Sequence, residues 1–205
     1  MDKNTTRPSS ATRSIETTQG VLTCAQLAPL LAGPIIGIEA RIAGGAYAGV
    51  TSFEQLALDF HKEMASALVP DWAGRWRLSQ MVVGTHTPPP SHEVPMLMRQ
   101  YADNLSTRLA HIGESENLLL ETLAYAEGCF LSIHPFPDFN GRVVRLLLRE
   151  LLFRLDLPIV ELLPPPDSEE SRTYFKALDA ADHNDWSALI DIWKTRFEQV
   201  RLSRK

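Results

Sequence analysis

Two stretches of this chain are apolar on nearly every face, and a polar loop joins them. Leu118, Leu119, Leu120, Leu123, Tyr125, Cys129, Phe130, Leu131 and Ile133 populate the first stretch. Val143, Val144, Leu146, Leu147, Leu148, Leu151, Leu152 and Phe153 populate the second. A helix that is apolar all round has to be buried, so these two are expected at the centre of a domain. Yet the loop between them reads His134-Pro135-Phe136-Pro137-Asp138-Phe139-Asn140-Gly141-Arg142, with Arg145 close behind. Few folds carry such a concentration of polar groups into their middle without a use for it.

The flanking sequence predicts further helices and one hairpin. Residues 1–11, rich in Ser, Thr and Asn, are expected to be disordered. A short amphipathic helix follows Thr23, carries Leu27, Leu30 and Leu31, and ends at Gly33-Pro34. Residues 37–49 are Gly- and Ala-rich and show no assignable pattern. Thr51 or Ser52 caps a helix running to about Val69, with Glu54 and Gln55 placed to complete a capping box. Residues 74–90 alternate polar and apolar through Arg75-Trp76-Arg77-Leu78-Ser79, turn strand-like at Met81-Val82-Val83 and close on Pro88-Pro89-Pro90. That pattern predicts a β-hairpin. Further helices are expected over 93–109, 118–133, 143–155, 168–180 and 186–200, with a solvated tail at 201–205. The fold class is all-α with one small hairpin.

At 205 residues the chain suits one domain with an extension. A formal net charge of -5 points away from a nucleic-acid polymer as partner. Cys24 and Cys129 are the only cysteines, and Cys129, in an apolar stretch, reads as a buried thiol rather than half of a disulfide or a zinc ligand. No secretory signal and no membrane-length apolar run is present, so the expected location is the cytoplasm, away from any membrane. His61, His86, His92, His111 and His183 form no metal-ligand spacing and read as surface or loop residues. Trp72, Trp76, Trp186, Trp193 and Tyr174 read as packing residues. The sequence leaves room for a homo-oligomer.

The start of the second apolar helix breaks a local preference. Helix N-termini carry partial positive charge and favour acidic residues, yet Arg142 and Arg145 stand there, one turn apart on one side. Two cations at a positive helix end make sense if an anion binds, and exposed N–H groups beside the small Gly141 suit a phosphate. Departures from local preference tend to mark function. Asp138 adds a hard oxygen ligand of the kind Mg²⁺ takes together with substrate phosphates. His134 supplies a base with an ordinary pKa near working pH. Each residue alone has a bland reading: a satisfied loop histidine, a helix cap at Asp138, an ion pair of Arg145 with Glu150 or Glu127. Together, in this order, the bland readings become improbable.

The loop resembles the signature of the Fic family (filamentation induced by cAMP), His-Pro-Phe-x-Asp/Glu-Gly-Asn-Gly-Arg-x-x-Arg. The one departure is Phe139, which stands where the family has its first glycine. Gly74 to Pro90 resembles the family's flap, and Arg172-Thr173-Tyr174 through Trp186 its C-terminal helix pair. The resemblance implies a Fic domain over 50–205 and a protein adenylyltransferase that moves AMP from ATP to a Ser, Thr or Tyr hydroxyl of a target protein. His134 would deprotonate that hydroxyl. Asp138 would hold Mg²⁺ between the α- and β-phosphates. Asn140, with the backbone of Gly141 and Arg142, would form the anion hole, and Arg145 would hold the γ-phosphate. Gly141 favours nucleotidyl transfer, because the phosphotransferase branch resembling the Doc toxin has lysine there. The flap would align the target by strand addition.

The N-terminal segment, residues 1–49, carries a second resemblance. Thr12-Arg13-Ser14-Ile15-Glu16-Thr17 is similar to the family's inhibitory motif, Ser/Thr-x-x-x-Glu-Gly/Asn, borne on an inhibitory helix whose glutamate occupies the second arginine. Glu16 would then compete with the γ-phosphate for Arg145. Glu39, in Ile38-Glu39, is the rival glutamate. The alternatives are another nucleotidyl or phosphoryl transfer, removal of AMP, or a non-catalytic nucleotide-binding module whose anion hole Phe139 has closed.

Overall fold

The computed structural model describes residues 14–203. Disorder at 1–11, the first residues of the inhibitory motif and the end of the charged tail lie outside the described residues. Two short strands, β1 (Ser14–Thr17) and β2 (Gly20–Thr23), open the structure as an antiparallel ladder that pairs Glu16 with Val21. Seven α-helices follow among the described residues: α1 (Cys24–Ala43), α2 (Phe53–Ala65), α3 (Val94–His111), α4 (Glu116–Ile133), α5 (Asn140–Arg154), α6 (Glu169–Ala181) and α7 (Ser187–Ser203). The all-α class with one small hairpin is borne out. None of these helices is long and apolar enough to cross a membrane.

The two apolar stretches form α4 and α5, and they are central as their composition requires. α5 packs against α1, α2 and α4, while α4 also meets α3, α6 and α7. Leu123, Ala124, Ala126 and Phe130 of α4 and Val143, Leu148 and Leu151 of α5 are fully buried. Tight approach to α7 needs Gly128, since a Cβ there would lie 2.4 Å from Cζ3 of Trp186. Ser115 and Ser168 cap α4 and α6 by accepting the N–H groups of Leu118 and Ser171.

Three elements depart from the sequence reading. α1 does not stop at Gly33-Pro34 but runs through Pro29 and Pro34 to Ala43. Each proline leaves one carbonyl unbonded, at Ala25 and Leu30, and both residues are exposed to water. The buried stripe Leu27, Leu31, Ile38 and Ile42 outweighs the weak propensity. The capping box belongs to α1, where Thr23 and Gln26 bond reciprocally. In α2, Ser52 accepts from Gln55 N–H, but the Gln55 side chain bonds Asp59 instead, and the helix ends at Ala65.

The third departure concerns the hairpin. Among the described residues the only ladder is β1–β2, and Glu16 sits on a strand rather than a helix. Residues 74–90 form an irregular flap with one bridge, Val83 to His86. Its backbone groups are used elsewhere: Arg77 N–H donates to the Pro135 carbonyl at 2.9 Å. A strand partner is replaced by the central loop.

Candidate active site

α4 ends at His134, which turns the chain through a left-handed conformation, φ 49. The loop closes at Phe139, again left-handed at φ 64, which serves as N-cap of α5 without a side-chain hydrogen bond. Two non-glycine residues at positive φ in one short loop store strain that surrounding structure must hold. Asn140 provides part of that hold. It is buried, its Oδ1 accepts the Phe136 N–H at 2.9 Å, and its Nδ2 donates to the Phe136 carbonyl at 2.8 Å. Its amide clamps the loop, so its contribution to an anion hole runs through the backbone shape it fixes. The Arg142 N–H is turned inward onto the Phe139 carbonyl at 2.9 Å, leaving the Asn140 and Gly141 amides to lead the helix.

His134 is buried, and its Nδ1 lies 3.3 Å from the Leu131 carbonyl. A carbonyl only accepts, so Nδ1 is the donor in this contact. Asp138 Oδ1 accepts the Phe139 N–H at 2.6 Å, and its carboxylate is among the charges near Arg142. Arg142 and Arg145 are both partly buried, which lowers the pKa of each guanidinium, and each lies in the other's field or that of nearby carboxyls. Neither forms an ion pair with a carboxylate among the described residues. The candidate structural partners are taken: Glu127 bonds Arg196 at 2.7 Å and Glu150 bonds Arg154 at 2.7 Å. Arg145 runs beside Gly141, where a Cβ would lie 3.4 Å from its Nη1. Gly141 is the opening between helix end and guanidinium.

Phe139 packs among aromatic side chains. Its ring is buried, stacked on Trp72 at 5.7 Å, with His61 at 6.1 Å behind and the Arg142 guanidinium 5.5 Å above it. His61 stacks flat on Phe136 at 4.0 Å, and its Nδ1 accepts the Gly74 N–H at 2.8 Å. The reading of His61 as a surface or loop residue is therefore corrected: it is fully buried on α2, where the Phe136 and Trp72 rings need an aromatic neighbour.

Glu16 is exposed on β1, and the structure does not join it to Arg145. The rival, Glu39, is committed to Arg149 at 3.1 Å. The entry to α1 does approach the cradle, since Cys24 is one of the groups near Arg142.

A model of the Fic/DOC family matches residues 51–152. The chain belongs to the Fic/DOC family. The protein adenylyltransferase Fic of Aedes aegypti is 30% identical over 128 residues, covering 62% of this chain and 24% of that protein. The chain thus spans about a quarter of the length of the curated relatives it matches. Among solved structures, the N-terminal Fic domain of Bep8, a translocated effector from Bartonella sp. 1-1C, superposes with a TM-score of 0.72. It is 12% identical, with 96% of this chain and 95% of that one covered. BepC of Bartonella tribocorum, solved with bound AMPPNP, gives a TM-score of 0.66 at 13% identity, covering 96% and 94%.

The main support of this Fic loop escaped sequence reasoning. Arg77 is buried, with Nε donating to the His134 carbonyl at 2.8 Å and Nη2 to Pro89 at 2.5 Å and Ile133 at 3.3 Å. It satisfies carbonyls that end α4 and ties both ends of the flap to the loop. Alternation suggested the opposite faces, apolar in and charged out, but Leu78 is 93% exposed. The one signal was an arginine next to a tryptophan in an otherwise short, proline-bounded segment.

Proposed function

We propose that this chain is a protein adenylyltransferase held in check by Glu16. The observation that carries the reading is the pair of partly buried arginines, without carboxylate partners among the described residues, at the N-terminus of α5 beside His134. Such a cradle suits a polyphosphate. The name of the Aedes relative and the AMPPNP of BepC favour ATP as its occupant. A target hydroxyl gives its proton to Nε2 of His134 as its oxygen bonds the α-phosphorus. The bond from that phosphorus to the bridging oxygen breaks, and pyrophosphate leaves. Arg142 and Arg145 stabilise the charge on the leaving phosphates. Mg²⁺ fits the donor set, a single hard carboxylate at Asp138 beside a phosphate cradle, and when bound would neutralise phosphate charge. The exposed flap offers the target the side chains of Leu78 and Val82.

Incubation with α- and γ-labelled ATP tests the reading. Label from the α position should enter protein; label from γ alone would mean phosphoryl transfer, and label from neither would leave a binding module. His134→Ala should lower transfer ~10²–10⁴-fold, the usual worth of a general base, with nucleotide affinity retained. On the inhibitory reading Glu16 must leave its exposed place on β1 to reach Arg145, and Glu16→Gly should then raise self-modification. An unchanged rate would end the inhibitory reading.

A further inference from the structure

The flap tip has little to hold it by backbone alone. Val83 and His86 exchange hydrogen bonds of 2.9 and 3.0 Å around Gly84, whose φ of 66 makes the turn. The ring of His86 ties this turn to the domain. Its Nε2 lies 2.9 Å from the carbonyl of Ser132, two residues before His134. Its Nδ1 lies 3.3 Å from Oδ2 of Asp182, the C-cap of α6. Both side chains are mostly buried, at 16% and 14% exposure.

Hydrogen-bond chemistry fixes the proton count. The Ser132 carbonyl only accepts, so Nε2 must carry a hydrogen. A carboxylate also only accepts. The contact with Asp182 is therefore attractive only if one more proton lies between Nδ1 and Oδ2, on an imidazolium or on a carboxylic acid. The docked pair then holds that proton and bears no net charge. Without it, a nitrogen lone pair would face a carboxylate anion inside the protein.

We propose that His86 is a positioning residue for the transfer reaction, latching the flap to the end of α4 through one proton shared with Asp182. The inference rests on the adenylyltransferase reading for its consequence, not for its geometry. Around the pair, α4 contributes the Ser132 hydroxyl, and α6 and its end contribute Asp179 and His183. Burial pushes the Asp182 carboxyl upward, Asp179 adds to that, and His86, Ser132 and His183 oppose it. The direction favours a held proton. Loss of that shared proton releases the latch, so the latch is present at lower pH and is lost as pH rises. Base catalysis by His134 has the opposite sign. Transfer should rise with pH as His134 loses its proton, then fall as the flap lets go.

Asp182→Asn separates the two limbs. Its amide can donate to Nδ1 of a neutral His86, making the bond without a shared proton. Hydrogen exchange of the Val83 and His86 amides is followed in the full chain across pH, corrected for intrinsic exchange, beside self-modification with α-labelled ATP. In the wild type, flap protection should drop about tenfold with rising pH, the scale of one hydrogen bond. Asp182→Asn should keep its protection and lose the alkaline fall in transfer. His86→Ala and Asp182→Ala should be unprotected throughout. Flat wild-type protection, or an Asp182→Asn profile like that of Asp182→Ala, overturns the latch. If the exchange pattern holds while no variant transfers label, the latch stands and the adenylyltransferase reading fails.

Discussion

Phe139 occupies a backbone conformation that costs an ordinary side chain roughly 1–2 kcal/mol, at φ 64. The Trp72 and His61 rings compensate by burying its phenyl group to 3% exposure. Removing a buried phenyl ring costs about 3–5 kcal/mol, more than relief of the backbone returns. Phe139→Gly should thus destabilise the domain by about 2 kcal/mol, seen as a lower urea midpoint at unchanged slope. His61 adds a pH dependence. Burial lowers its pKa from 6.5 to about 4, opposed by a weaker polar contact with the Asp138 backbone. The unfolded chain then binds a proton that the folded one refuses. Stability present at neutral pH falls as pH drops below 6.5 and levels off near 4, a loss on the order of 3 kcal/mol. Urea midpoints at several pH values should show this slope, and His61→Asn should flatten it. The signature loop was legible because its residue types stand in a fixed order. Its supports were not, because Arg77 and His61 are defined by carbonyls and rings that only the fold brings near.

At the level of elements, α4 carries the closest packing. A methyl on Gly128 would stand 2.4 Å from Cζ3 of Trp186 and 2.9 Å from Cδ1 of Leu189. Overpacking of this kind typically costs ~1–3 kcal/mol, so Gly128→Ala should lower the melting temperature while leaving α6 and α7 helical. A smaller partner in Trp186→Leu should recover part of the loss. Helices α4 and α5 could be read from composition because burial on all faces leaves no polar stripe. α1 could be read only as far as Gly33-Pro34, because its buried stripe is sparse and two prolines interrupt it. The flap was misread for another reason: alternation reports which face meets a core, and this segment meets the end of a helix.

Across the whole molecule, one buried ionic cluster joins distant parts. Arg196 of α7 binds Glu127 of α4 at 2.7 Å and the Leu162 carbonyl at 2.7 Å, while Tyr174 of α6 donates to Glu127 at 2.7 Å. Removing one member strands a buried charge, which typically costs ~3–5 kcal/mol. Arg196→Leu should fall in that range by denaturant unfolding, and adding Glu127→Leu should restore much of it. A second set of long-range bonds ties α5 to the start of the chain. Arg154 donates to the carbonyls of Tyr47 and Val50, which precede it by 107 and 104 residues, and Arg149 meets Glu39 across 110. On a translating ribosome, adding about a hundred residues takes roughly 5–20 seconds at typical elongation rates. Throughout that interval the apolar stripe of α1 has α2 beside it but lacks α5. The proposed phosphate cradle heads that same helix, so on this reading the site cannot form until α5 closes the fold.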